Sequence, residues 1–483
     1  MKIKISHIFV MLGVLCASCS DFLDVQPSDR ISEEQNFSTI PGFKQALNGI
    51  YIDLNVNELY GRTLSCEFIE IMAQRYDIGQ DNKTALEIMQ LEFGGSAAQS
   101  RLSSIWGKAY KLIANINLII RNCETHRNVL PDEYYHLIKG EAYALRAYLH
   151  FDLFRLFGSR YTPDESATAI PYYTEFQLEV NPQLSSIEFM EKVLADLAVA
   201  EEELKDDPIV NYGVAGNPKD VFLSFRNLRL NLYAVYGLMA RCYYYMHDKE
   251  NAYTYSKRVV DLQERYFPWV NPIVLTRSSV DRVFSTEVLF ALQNLQRDNL
   301  FTTFFDANNL KTSTLLAPRD NVLQNIFEGS VAASDYRVRA SFKNSVELSG
   351  TTYRMFNKYQ GADSLYSQMI PMMRVSEAYL ILAETGPDDT ERMTRFNEFR
   401  NARGLQGIKR IYGELDDPTD KYSALYKEWI KEFFGEGQLF FWYKRNKCSS
   451  MRSATDEYND YPFRVSPLTK YTLPIPEEES QYN

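Results

Sequence analysis

Gly140-Glu-Ala-Tyr-Ala-Leu-Arg-Ala-Tyr-Leu-His-Phe-Asp-Leu-Phe-Arg-Leu-Phe-Gly158 is the stretch on which the reading of this chain turns. With the residues just before it, it places Ile138, Ala142, Leu145, Leu149 and Leu156 three, four or seven residues apart, along one stripe of a helix. The pattern predicts a helix over Tyr134 to Phe157 that stops at Gly158. Four charged residues interrupt this apolar run: Glu141, Arg146, Asp152 and Arg155. The expectation is that they form partly buried ion pairs that fix helix packing.

The same periodicity extends outward. Trp106 to Ile120 is a second helical segment, and 228–262 reads as a helix pair. In that pair Leu228 to Met246 is apolar and aromatic, His247-Asp-Lys-Glu250 is a polar turn, and Asn251 to Leu262 carries Ala252, Tyr255 and Val259 on one side. Small residues four before large aromatics, Ala147 with Phe151 and Ala240 with Tyr244, suit close helix crossings. The expected fold is mainly α: a tetratricopeptide-like scaffold of helical pairs without the fixed ~34-residue period of a regular array. From Tyr266 to about Gln368 the character changes. Pro268, Pro272, Pro318 and Ser/Asn/Gly clusters break helical patterning, and Glu287–Leu292 and Thr351–Phe356 read as short strands. This is a loop-rich insertion containing short β-hairpins. Helices are expected again at Met369 to Glu384, then up to Arg403 with a stop at Gly404, and from Tyr422 to about Phe434. Asp388 and Glu391 stand at capping-box spacing before the second of these.

The N-terminus gives an address. Lys2 and Lys4 precede an apolar run from Ile8 to Ala17, shorter than the ~20 residues that span a bilayer. Ala17-Ser18-Cys19 resembles the bacterial lipoprotein processing site, in which the cysteine is acylated. Cys16 stands where that pattern prefers Leu, and a plain secretory signal cut near Ser18 is the other reading. With Cys19 carrying several acyl chains, palmitate among them, the protein would be held stably at a membrane surface without crossing it. The organisation expected is a signal peptide over 1–18, an extended arm over 19–40 docked by Phe22 and Leu23, a helical scaffold over 41–265, a ligand-facing loop region over 266–368 and returning helices over 369–483.

Composition bounds the rest. The 483 residues are 45% apolar and 24% charged, values of an ordinary globular protein, and the net charge is -11. That acidity argues against nucleic acid as a partner. Cys66, Cys123, Cys242 and Cys448 lack metal-ligand spacing, and Cys123 and Cys242 sit in apolar helical contexts that suit free thiols. Their disulfide state stays open at this point. Asp53-Leu-Asn-Val-Asn57 opens like a calcium loop but has Glu58 where the turn glycine belongs and Leu64 where the closing glutamate belongs. No phosphate loop, serine elbow or His-Glu-x-x-His sequence occurs, and no cofactor or metal is implied.

Several separated stretches, in order along the chain, resemble the SusD/RagB family of outer-membrane lipoproteins. They are Cys19-Ser-Asp-Phe-Leu-Asp24, the 140–158 segment, Met373 to Glu384, Phe396-Asn-Glu-Phe-Arg-Asn-Ala-Arg-Gly-Leu405, Lys431 to Arg445 and Leu473-Pro-Ile-Pro476. Phe433-Phe434 and Leu439-Phe440-Phe441 replace more charged residues usual in the fifth of these, which looks structural. The resemblance implies a SusD-like fold and a surface-exposed, non-enzymatic receptor in the outer membrane. Such a receptor binds oligosaccharides or, in some members, peptides, and serves a SusC-like TonB-dependent transporter. A surface glycoside hydrolase remains an alternative, since paired carboxylates leave no sequence signature. So does a scaffold lipoprotein that only braces the transporter.

A sugar-binding surface needs flat apolar rings together with amides, carboxylates or guanidinium groups. Two regions, roughly where the family builds its site, offer that mixture. The first holds Tyr76, Asp77, Asp81 and Lys83, leading to Phe93; the second holds Trp269 and Asn271 together with Phe304 and Asn308. The plainer reading, that each aromatic only anchors its own loop, stands against this one at every position. Trp106, Trp429 and Trp442, in helical segments, are expected in the core.

Overall fold

The computed structural model describes residues 32–480, apart from 164–166, 178, 277–278, 362–367, 413–416, 418 and 422. Cys19, the leader and the arm up to residue 31 lie outside the described residues. Six principal helices form the first half: α1 (Ile40–Leu54), α2 (Ser96–Thr125), α3 (Asp132–Phe157), α4 (Ser186–Glu203), α5 (Leu232–Tyr245) and α6 (Lys249–Val260). Side chains begin them where the sequence supplies caps. Thr39 accepts from the Gly42 N–H, Ser185 and Glu188 form a reciprocal capping box, and Asp248 accepts from the Asn251 N–H. α2 packs on α3, α3 on α4, α4 on α5 and α5 on α6, so each helix covers a face its neighbour leaves bare.

α3 lies at the centre of this stack and is buried almost all round. Its four buried charged residues are therefore paired, as their position demands. Glu141 accepts from Arg226 at 2.7 Å, Arg229 at 2.9 Å and the Tyr51 hydroxyl at 2.7 Å. Arg146 forks onto Asp196 at 2.6 and 2.7 Å, and Asp152 pairs with Arg155 and accepts from Tyr60 at 2.8 Å. The first two tie α3 to other parts of the chain, whereas the Asp152–Arg155 pair lies within α3 and is linked outward by Tyr60 and Gln438. Gly158 does stop the helix, but with φ -76° rather than the left-handed geometry usual for such a glycine. Its lack of a side chain is what matters, because a Cβ there would sit 2.3 Å from the Phe154 ring.

The stack resumes much later in the chain. α8 (Val375–Thr385) packs directly on α6, and α9 (Asp389–Ala402) on α8, so residues 261–374 form an excursion between stacked neighbours. The excursion contains β1 (Val288–Gln293), α7 (Arg297–Phe304), β2 (Phe342–Leu348), β3 (Thr351–Phe356) and β4 (Met369–Arg374). β2 and β3 are an antiparallel hairpin turned at Ser349-Gly350, and β1 pairs antiparallel with β4. Met369–Arg374 is thus a strand where the sequence suggested the start of a helix. Its apolar run has no period of its own, and pairing with β1 decides its conformation. α9 ends before Gly404, whose φ of +75° is the left-handed stop expected there. Asp388 accepts from the Glu391 N–H at 2.9 Å, half of the expected capping box.

α10 (Ala424–Glu432) and α11 (Leu439–Arg445) complete the molecule. Trp106, Trp429 and Trp442 are core residues, as expected. Cys66, Cys123, Cys242 and Cys448 are all buried free thiols, and burial pushes Cys123 and Cys448 up to about 12. A buried ionic knot joins the excursion to the returning helices. Glu432 accepts from Arg374 at 2.6 Å and Arg403 at 2.7 Å, and Arg403 also reaches Glu287 at 2.7 Å. No helix among the described residues is long and apolar enough to cross a membrane.

Candidate ligand-binding face

Two of the segments singled out by sequence meet in space. The 76–83 loop lies against the chain that follows α7, with the Asp77 N–H donating to the Ala317 carbonyl at 3.1 Å. Gly79 presses so closely on Thr312 that a Cβ would stand 2.4 Å from its carbonyl oxygen. Asp81, exposed at the tip, accepts from the Thr312 hydroxyl at 2.7 Å. Asn82 caps the helix that begins at Lys83, and Lys83 is exposed beside it. After α7, Asp306 accepts from the Asn308 backbone and side-chain amides at 2.9 and 3.1 Å, fixing a turn that leaves Asn308 exposed. Phe304 is half-buried, with the Arg62 guanidinium 5.9 Å from its centroid.

Asp77 is the joint of this face. Its carboxylate accepts from Arg319 Nε at 2.7 Å and from the Tyr353 hydroxyl at 3.3 Å, joining the loop to β3. Burial and that carboxylate push the Tyr353 phenol up. Tyr76 points the other way, into the core. Only 1% of it is exposed, its hydroxyl donates to the Cys66 carbonyl, and its ring meets Phe434 at 5.8 Å. Phe93 is likewise buried, against Phe68. These two rings anchor the loops whose tips carry Asp81 and Lys83.

Trp269 and Asn271 belong to another neighbourhood. Trp269 is half-buried on Tyr379 of α8 at 4.8 Å, with Arg403 at 5.1 Å from its ring, and Asn271 caps the short turn Pro272–Leu275. The structure thus brings the 76–83 loop, with Asp81 and Lys83 exposed, against the chain that follows Phe304 and Asn308, while Trp269 packs on α8 and Asn271 on its own turn. Thr312, Arg319 and Tyr353 complete the face. Sequence reasoning missed them because Arg319 meets Asp77 across 242 residues and nothing local marks it.

A second concavity had no sequence signal. Beside α1 runs an open groove of about 720 Å³. Its rim exposes the aliphatic side chains Ile52, Val221 and Leu295, interleaved with the amides Asn48, Gln293 and Gln296. Aliphatic exposure of this kind suits contact with protein better than with sugar.

Residues 21–214 match a family model described as SusD-like_3, starch-binding associating with outer membrane. SusD-like protein P38 of Formosa agariphila is 30% identical over 205 residues, 41% of this chain and 36% of that protein. SusD-like protein P2 of the same organism is 26% identical over 211 residues, 42% of this chain and 38% of that protein. The chain therefore spans little more than a third of the length of these curated relatives. Among solved structures, a SusD superfamily protein from Bacteroides thetaiotaomicron superposes with a TM-score of 0.71 at 20% identity, covering 92% of this chain and 98% of that one. A putative sugar binding protein from Bacteroides vulgatus gives 0.70 at 21% identity, with 92% and 97% coverage. Surface glycan-binding protein A from Bacteroides fluxus gives 0.67 at 17% identity, with 92% and 97% coverage. At these identities the structural likeness shows a shared fold.

Proposed function

The chain belongs to the SusD/RagB family, and on that premise we propose that it is a catalytically silent glycan receptor held at the outer membrane through lipid on Cys19. The observation that supports the proposal is the surface formed where the 76–83 loop, with Asp81 and Lys83 exposed, meets the chain after α7, the segment that also carries Asn308 and follows Phe304, with Asp77 held by Arg319. It offers an apolar ring edge, an amide, an ammonium and a carboxylate within one irregular surface, the mixture that sugar hydroxyls and C–H faces require. Its carboxylates support binding over hydrolysis. Asp77 is engaged by Arg319 and Tyr353, Asp81 by Thr312 and Asp306 by Asn308, so each already serves as an acceptor that shapes the face.

The groove beside α1 is the surface best suited to a protein partner, which on this reading is a SusC-like TonB-dependent transporter. Ligand captured on the loop face is passed to that transporter.

Isothermal titration of the purified protein against plant, fungal and host glycans and against peptides tests the reading, together with an assay for new reducing ends. Glycan binding that weakens in a Phe304→Ala, Asn308→Ala double variant, without release of reducing ends, is the expected result. Peptide binding in place of glycan binding would move the protein to the peptide-binding branch of the same family. Sustained release of reducing ends would make it a hydrolase. Unchanged uptake in the double variant, with uptake lost on deletion of the whole protein, would leave it a brace for the transporter.

A further inference from the structure

Two tyrosines stand in solvent on the hairpin between Ser450–Met451 and Phe463–Arg464, Tyr461 at 85% exposure and Tyr458 at 64%. Aromatic rings of this size are normally drawn into a core or an interface. Here the backbone holds them out. The Asp456 carboxylate accepts the N–H groups of Tyr458 at 3.2 Å and Tyr461 at 2.5 Å. Asn459 adopts a left-handed φ of 58° and accepts the Ser453 N–H at 2.9 Å. Arg452 Nη2 donates to the Glu457 carbonyl at 2.7 Å and to Asn325 Oδ1 at 3.0 Å. A turn fixed at so many points presents its rings in one place.

Beside Tyr458 opens a cleft of about 350 Å³, with Asn325, Arg452 and Asp460 on its walls and Ile326 and Ile430 beneath. The Arg452 Nε is buried without a hydrogen-bond partner among the described residues. Rings, amide, carboxylate and guanidinium again occur together. The hairpin also abuts the loop face, because Arg319 donates from Nε to Asp77 at 2.7 Å and from Nη1 to the Thr455 carbonyl at 3.4 Å. Asn321 reaches Glu457 at 3.2 Å along the same edge.

We propose that Tyr458 and Tyr461, with the adjoining cleft, form a second sugar platform that takes the distal residues of a glycan chain whose first residues lie on the loop face. The proposal rests on the receptor reading above. It makes binding depend on chain length, since only an oligosaccharide long enough to pass Arg319 engages both platforms.

The test is titration of wild type and a Tyr458→Ala, Tyr461→Ala variant with short and long members of the malto-, cello-, xylo- and galacturono-oligosaccharide series. Both tyrosines are exposed, so the variant is expected to fold, and its melting curve checks this. For any series that binds, the variant loses about tenfold in affinity for the long member and stays within about twofold for the short one. An equal loss at both lengths, or no loss at either, overturns the second platform and leaves the receptor reading standing. Failure of wild type to bind any series removes the receptor reading, and the second platform with it.

Discussion

The ammonium of Lys444 caps the C-terminus of α3 from 286 residues away, donating to the Gly158 carbonyl at 2.7 Å and to the Arg155 carbonyl at 2.8 Å. The side chain is fully buried, and burial with Arg155 beside it pulls the amine well below the ordinary lysine range. The last carbonyls of a helix have no partner within it, so this lysine supplies what the helix cannot. Lys444→Met keeps the packing of the stem and removes the donor. The expected loss is about 1–3 kcal/mol, seen as a lower denaturant midpoint with an unchanged slope.

His247 sits at the surface in the turn between α5 and α6 with φ +63°, and partial desolvation of its ring together with Arg445 and Arg160 pushes it down to about 4. In the unfolded chain a histidine titrates near 6.5. Between those values the unfolded state binds a proton that the folded state refuses, so stability falls as pH drops from about 6.5 toward 4. Asn tolerates the left-handed backbone and does not titrate. His247→Asn therefore flattens the decline in melting temperature over that range while changing little at pH 8.

What the sequence disclosed and what it withheld divide along the same physical line. The stripe in 134–157 exposed α3, because a helix writes its period locally. The charged interruptions in that stripe were rightly expected to be paired, though their partners Arg226 and Asp196 could not be named. β4 went unseen because a six-residue apolar strand has no period to distinguish it from a helix start, and β1 supplies the deciding hydrogen bonds. On the loop face the composition singled out two segments that meet in space, but Tyr76 and Asp81 lie five residues apart and face opposite ways, one into the core and one into solvent. Burial is a long-range property, and Phe305, Phe434 and Arg319 impose it from far along the chain.

Glu432 is the centre of the buried knot. Burial alone would raise its carboxyl, but Arg403, Arg374 and Arg337 hold it well below the usual carboxylate range. Glu432→Gln leaves three buried guanidinium groups short of a charge, and a loss of about 3–5 kcal/mol is expected by chemical denaturation. Because the folded value is depressed, the contribution is complete above the unfolded value near 4.3 and is lost as pH falls through the folded one. The variant and wild type should therefore converge in stability in strong acid.

Cys19→Ala tests the address. If the cysteine is acylated, wild type grown with labelled palmitate carries the label and sediments with outer membrane. The alanine variant should carry none and should appear in the soluble fraction. Label retained in the variant, or unlabelled soluble wild type, would remove the lipid anchor from the proposed function.

Arg319 links the two halves of the proposed binding surface, since one guanidinium serves both Asp77 and the Thr455 carbonyl. Arg319→Ala leaves the Asp77 carboxylate, among the described residues, with the Tyr353 hydroxyl alone and loosens the hold of the 76–83 loop on the chain after α7, so glycan affinity falls together with about 1–3 kcal/mol of stability. Arg319→Lys separates these effects. A lysine offers a point charge and no fork, so it can hold Asp77 but cannot also reach Thr455 in the same geometry. The lysine variant should recover most of the stability and the affinity for short oligosaccharides, and remain weak for long ones. If lysine restores both chain lengths equally, the guanidinium matters only as a charge for Asp77, and the continuity between the two platforms is lost as an argument.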